Sequence, residues 1–191
     1  MPDLILASSS PRRAKLLKQI GLNYRVIPSR FEEKECVELP PDEMAVNFAW
    51  SKAREVASRV EKGLVIGADT MVVLQGSTLG KPKSHEEAFD MIQKLGGRAH
   101  EVITGLTLWE RETGAYKSIY SSTRVWFRKP TGEEIKAYVK TGEPMDKAGG
   151  YGIQGRGALF VEKIEGCYFN VVGLPLVELG KLLVYFGHKV L

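Results

Sequence analysis

Two adjacent arginines stand directly behind a serine run in LILASSSPRRAKLLKQIG, residues 4–21. Ser8, Ser9 and Ser10 supply hydroxyls, and Arg12 and Arg13 supply charge-assisted donors. A helix starting at Pro11 would add unpaired backbone N–H groups aimed at an anion. The helix dipole contributes only about 0.3–1 kcal/mol at an exposed site, so the side chains would have to carry the affinity. The same residues also suit a solvated surface helix.

In GLVIGADT, Asp69 ends an apolar run that reads as a buried strand. A carboxylate there is costly unless it is paired or binds a metal, which makes Asp69 a candidate ligand or base. Its plainer reading is a turn residue or cap. Two glycine patterns mislead. GSTLGKP has three residues between Gly76 and Gly80 where a P-loop needs four, and Pro82 stands where the magnesium-binding hydroxyl would be. Lys81 remains a point charge suited to phosphate. GYGIQG, residues 150–155, has the dinucleotide spacing but runs into a strand-like segment and opens no helix. What is left is a flexible loop carrying Asp146, Lys147 and Gln154. His85, His100 and His188 lie far apart in unlike contexts and read as surface or loop residues.

Together, Arg12, Arg13, Lys52, Lys81 and Lys147 are candidate cations, and Glu32, Glu33 and Asp69 candidate anions. That mixture suits magnesium with a polyphosphate, because magnesium takes one or two carboxylates and shares phosphate oxygens.

The elements that must position these residues follow from the pattern. LILAS predicts a buried strand, and a helix follows from Pro11, with Ser10 as N-cap and Gly21 as terminator. YRVIPS predicts a second strand. The strongest helix opens at the prolines before Asp42 and runs to Gly63. LVIGADTMVVL predicts two strands broken near Gly67–Thr70, followed by a Gly-Ser turn. Further expectations are a helix from about Ser84 to Leu95, a long hairpin turning at Glu112–Gly114, and a helix over 131–140. A strand ALFVEKI and a closing helix around Leu176–Phe186 complete the chain. Interspersed strands and helices with a long hairpin predict an α/β fold, a mixed twisted sheet with flanking helices.

At 191 residues the chain is long enough for one large domain or two closely joined lobes. A 43% hydrophobic and 26% charged composition is that of a globular protein, and a net charge of +4 without basic blocks gives no case for nucleic acid. Cys36 and Cys167 read as reduced thiols. The first residues have the wrong order and length for a signal peptide, and no segment suits a membrane span.

The motifs SSSPRR, GADT, GKP, DKAGGYGIQG and NVVGLP, in this order, resemble the Maf family of nucleoside triphosphate pyrophosphatases, from residue 4 to about 186. The resemblance implies an elongated α/β fold akin to the inosine triphosphate pyrophosphatases, a single domain over 1–191 whose two lobes enclose a deep cleft. It also implies a divalent metal, Mg²⁺ or Mn²⁺, a cytoplasmic location and commonly a homodimer, with no nucleic-acid or membrane partner. By position, Ser8, Arg12 and Arg13 would face the phosphates, with Lys52 and Lys81 adding charge. The family's acidic pair would fall on Glu32 and Glu33, with Glu33 the preferred metal ligand beside Asp69. Asp69 would accept the proton, and Arg12, Thr70 and Gln154 occupy positions that separate subfamilies by base preference. GADT and KAGGYGIQG match the dTTP/UTP branch. A 7-methyl-GTP-preferring enzyme and a nucleotide-binding regulator of cell division without turnover are the alternatives.

Overall fold

A buried strand, β1 (Leu4–Leu6), opens the fold in the computed structural model, which describes residues 3–32 and 39–189. All three of its side chains are buried, as an unbroken apolar run predicts for a strand covered on both faces. Helix α1 (Pro11–Gln19) follows, with Pro11 in the first turn, where its missing N–H is no loss, and Leu16 and Leu17 turned into the core. Ser10 is the N-cap in extended conformation, but its side chain makes no capping bond.

Beyond these lie β2 (Tyr24–Val26), α2 (Pro41–Ala57), β3 (Leu64–Leu74), β4 (Ser77–Leu79) and α3 (His85–Leu95). The hairpin β5 (Ala99–Glu110) and β6 (Tyr116–Phe127) leads to α4 (Gly132–Val139), and β7 (Val161–Glu165), α5 (Tyr168–Val172) and α6 (Leu176–Tyr185) close the chain. The strands hydrogen-bond in the order β2-β1-β3-β5-β6-β7, with β4 paired to β3. β1 is parallel to both β2 and β3, whereas β3–β4 and β6–β7 are antiparallel. The sheet is therefore mixed and accompanied by helices, as expected.

Three expectations need correction. Helix α2 ends at Ala57, not near Gly63, because the chain turns there to pack Val60 against the core and present its carbonyl to Arg111 Nε at 3.0 Å. LVIGADTMVVL is one continuous strand with Gly67 inside it in extended backbone, so the break expected near Gly67–Thr70 is not there; the turn follows at Gln75–Gly76, where the Gly-Ser turn is expected. The start of ALFVEKI is a 3-10 turn (Arg156–Phe160) that buries Phe160, and the strand begins at Val161.

The described residues fall into two compact units, drawn from Met1–Asp69, Thr104–Ser121 and Gly173–Leu191, and from Thr70–Ile103 and Ser122–Val172. The first unit has a core of Ile5, Ala7, Ala53, Val56, Ala57 and Val65. The second packs Val72, Ile92, Leu95, Val125, Phe127 and Ile135, among others, into its own core. In the second unit α4 is fixed by a reciprocal cap: Glu134 N–H donates to Thr131 Oγ1 at 3.2 Å, and Thr131 N–H donates to Glu134 Oε2 at 2.7 Å.

Candidate active site

In the first unit, the chain leaving β1 delivers Ser8 to the start of α1. Ser8 Oγ accepts from Arg13 Nη1 at 3.1 Å and from the Ser10 N–H at 3.2 Å. Arg13 is nine-tenths buried, and its Nε donates to the Gly173 carbonyl at 2.8 Å. The guanidinium thus ties the serine turn to the segment before α6, a task for which a planar fork of donors is suited and an ammonium is not. Arg12, one residue earlier, is half-buried.

Asp69 lies on the neighbouring strand. β1 and β3 run parallel with Leu6 opposite Ile66, so Ser8 and Asp69 both follow the paired segment in the same direction. Asp69 is 6% exposed, and its Oδ1 accepts from Lys52 Nζ at 2.5 Å. The local sequence explains this pairing. Ala49 and Ala53, one turn apart on α2, face Gly67 of β3, and a Cβ on Gly67 would collide with the Ala49 carbonyl oxygen and lie 2.8 Å from Ala53 Cβ. Three small residues let helix and strand approach closely enough for Lys52 to reach Asp69. Asp69 is accordingly inside a strand, not at its tip, and its burial is compensated by charge.

Glu32 is exposed just after Phe31, whose ring packs against Phe48 of α2 with centroids 5.8 Å apart. Glu33 lies outside the described residues. Among the described residues no three His, Cys, Asp or Glu side chains gather as a metal-binding group.

Thr70, Lys81 and Gln154 belong to the second unit. Thr70 is half-buried on β3, and Lys81 is exposed in the loop after β4. The Gly80 carbonyl accepts from the Gly149 N–H at 3.0 Å, which ties that loop to the glycine-rich segment. Gln154 is exposed in a turn of that segment. Lys147 is committed locally: its Nζ donates to the Glu143 carbonyl at 2.6 Å and to Asp146 Oδ1 at 2.5 Å. Glu143 accepts from the Arg156 and Gly157 N–H groups and from Tyr138 Oη. Burial acts against its charge, but these donors and Lys147 outweigh it and hold its carboxyl below the usual carboxylate range. Burial and the Glu143 carboxylate push the Tyr138 phenol up.

Of the histidines, His85 is exposed as expected, but His100 and His188 are buried. His100 Nε2 is 2.7 Å from Tyr151 Oη, and burial pulls its pKa down to about 4. Its place on β5, at an inward position of the strand, is the physical reason.

A sequence model of the family described as Maf-like protein matches residues 3–186. The chain belongs to the Maf family. A dTTP/UTP pyrophosphatase of Carboxydothermus hydrogenoformans is 50% identical over 185 residues, covering 97% of this chain and 99% of that protein. A dTTP/UTP pyrophosphatase of Methanosarcina barkeri is 53% identical over 188 residues, covering 98% and 95%. One from Pelotomaculum thermopropionicum is 48% identical over 191 residues and covers both chains fully.

The Maf chain thus brings together Ser8 with Arg13 and Lys52 with Asp69, each pair inside one unit. Sequence reasoning missed Glu143 and Tyr138. Tyr138 lies on the apolar face of α4 with Ile135 and Val139 and reads as a core residue, whereas Glu143 sits in no periodic pattern, its one signal being an acid inside a glycine-rich segment, GEPMDKAGG.

Proposed function

We propose that this chain hydrolyses dTTP and UTP to the nucleoside monophosphate and pyrophosphate. The observation that carries the reading is its near-full-length identity, about half of all positions, with relatives named dTTP/UTP pyrophosphatase. The chain acts as a single Maf-like domain over 1–191, and the active form is a cytoplasmic homodimer. No helix among the described residues is long and apolar enough to cross a membrane.

In this reading Asp69 orients a water molecule and accepts its proton as the water oxygen attacks the α-phosphorus. The bond from the α-phosphorus to the α,β-bridging oxygen breaks, and pyrophosphate leaves with that oxygen. Arg12, Lys52 and Lys81 stabilise the charge that moves onto the leaving group. Arg13 holds Ser8 against the phosphates from its buried position. Thr70, Arg12 and Gln154 choose the base; a carboxamide offers both a donor and an acceptor to the O4 and N3–H edge of uracil or thymine.

The donor chemistry at Asp69, a buried carboxylate with hard oxygens beside a lysine, fits Mg²⁺ or Mn²⁺, which Asp69 and Glu33 would hold. Such an ion, when bound, would neutralise phosphate charge.

The test is a panel of nucleoside triphosphates with magnesium, manganese or EDTA, with pyrophosphate resolved from orthophosphate. Pyrophosphate with dTMP or UMP, formed only with metal, supports the proposal. A preference for 7-methyl-GTP, or tight binding without product, overturns it in favour of one or the other alternative.

A further inference from the structure

Gln154 is assigned above to reading the base, yet it is exposed on a turn of a glycine-rich segment. A side chain that selects a substrate needs a rigid support. The turn's own closure is weak, a single bond from the Gly155 N–H to the Gly152 carbonyl at 3.3 Å. Its support comes from two side chains outside it. Before Gln154, the Gly152 N–H donates to Tyr138 Oη at 3.2 Å. After it, the Arg156 N–H donates to Glu143 Oε2 at 2.9 Å and the Gly157 N–H donates to Glu143 Oε1 at 3.2 Å. Tyr138 Oη in turn donates to Glu143 Oε1 at 2.9 Å. One carboxylate therefore secures both ends of the turn, directly on one side and through a phenol on the other.

Three further facts fix this support. A Cβ on Gly155 would collide with the Glu143 carboxylate, so the acid lies directly beneath the turn. The Glu143 backbone is held by Lys147 Nζ at 2.6 Å from its carbonyl, and Tyr138 rises from the capped helix α4 with its ring edge-on to Phe160 at 5.1 Å.

We propose that Glu143 is a positioning residue that fixes the Gln154 turn and through it the preference for pyrimidine over purine triphosphates. The inference rests on the nucleotide-hydrolysing reading. All three bonds to Glu143 are donated to it, and only a carboxylate accepts all three at once. A glutamine of the same size would turn an NH₂ group toward a donor and release at least one end of the turn.

The experiment compares wild type, Glu143→Gln, Tyr138→Phe, Gln154→Ala and the Glu143→Gln/Gln154→Ala double variant on dTTP, UTP and dGTP. The dTTP-to-dGTP ratio of kcat/KM is expected to fall about tenfold in Glu143→Gln, through KM for dTTP with kcat nearly unchanged. Tyr138→Phe, which keeps the ring but loses the link to Glu143, falls in the same direction by less. The double variant is expected to be no less selective than Gln154→Ala alone. An equal loss of kcat on all three nucleotides would mean Glu143 merely stabilises the fold and would overturn the proposal. So would an unchanged ratio in Gln154→Ala when the wild type hydrolyses dTTP. A wild type without turnover would instead defeat the nucleotide reading, and amide exchange then judges the support by itself. Protection at Arg156 and Gly157 that is lost in Glu143→Gln supports it; exchange in wild type as fast as at Gln154 refutes it.

Discussion

Replacing Gly67 with alanine tests the link between helix packing and the Lys52–Asp69 pair. The new Cβ would lie 2.8 Å from both Ala53 Cβ and the Ala53 nitrogen, and would also overlap the Ala49 carbonyl oxygen. Carbon atoms rest at about 3.5–4.0 Å, so α2 must withdraw by about 1 Å. Lys52 Nζ sits 2.5 Å from Asp69 Oδ1. A retreat of that size carries the pair to the limit of hydrogen-bond distance. Overpacking of this kind costs about 1–3 kcal/mol. In a chain of this length that lowers Tm by roughly 2–12 °C. A catalytic group displaced by about 1 Å can cost on the order of 100-fold in turnover. Thermal melts read by circular dichroism and steady-state pyrophosphate release on dTTP measure both. Adding Ala53→Gly should not restore either, because the Ala49 contact is to backbone. Wild-type Tm and turnover in Gly67→Ala would refute the argument that close helix–strand approach sets the pair.

Asp69→Asn keeps the shape and an acceptor for Lys52 but removes the base and the counter-charge of a buried lysine, so kcat should fall by about 10²–10⁴ and Tm should fall with it, measured by pyrophosphate release and thermal melts. Arg13→Lys cannot serve Ser8 and the Gly173 carbonyl together; KM for dTTP should rise, and urea denaturation should show a loss of about 1–3 kcal/mol. His100 has a folded pKa of about 4 against 6.5 when free. The folded protein therefore refuses a proton that the unfolded chain takes up as pH falls below 6.5. That difference should remove about 3 kcal/mol of stability between pH 6.5 and 4 and nothing further below. Its imidazole resonances should titrate near pH 4, and titration near 6.5 would contradict the buried, neutral ring.

Much of the fold was legible because the signals were local. Pro11 after Ser10, Ser84 before α3, and Gly96-Gly97 after it are punctuation that fixes where helices start and stop. What failed was decided by tertiary contact. Gly67 looked like a break because glycine usually interrupts a strand, whereas here it makes room for α2. His100 looked like a loop residue because nothing in its neighbours announces Phe127 and Tyr151, the rings that enclose it. The site was legible in parts. Asp69 stood out as a charge in an apolar run, but its partner Lys52 lies one helix earlier, and only the packing joins them. Glu143 was hard to read because two of its three donors are backbone N–H groups, which every sequence has and no sequence reports.

The central claim is water attack at the α-phosphorus, and hydrolysis of dTTP in ¹⁸O-labelled water tests it most directly. Mass spectrometry of the products should find one labelled oxygen in dTMP and none in pyrophosphate. Label in pyrophosphate, or release of orthophosphate with dTDP, would contradict the account.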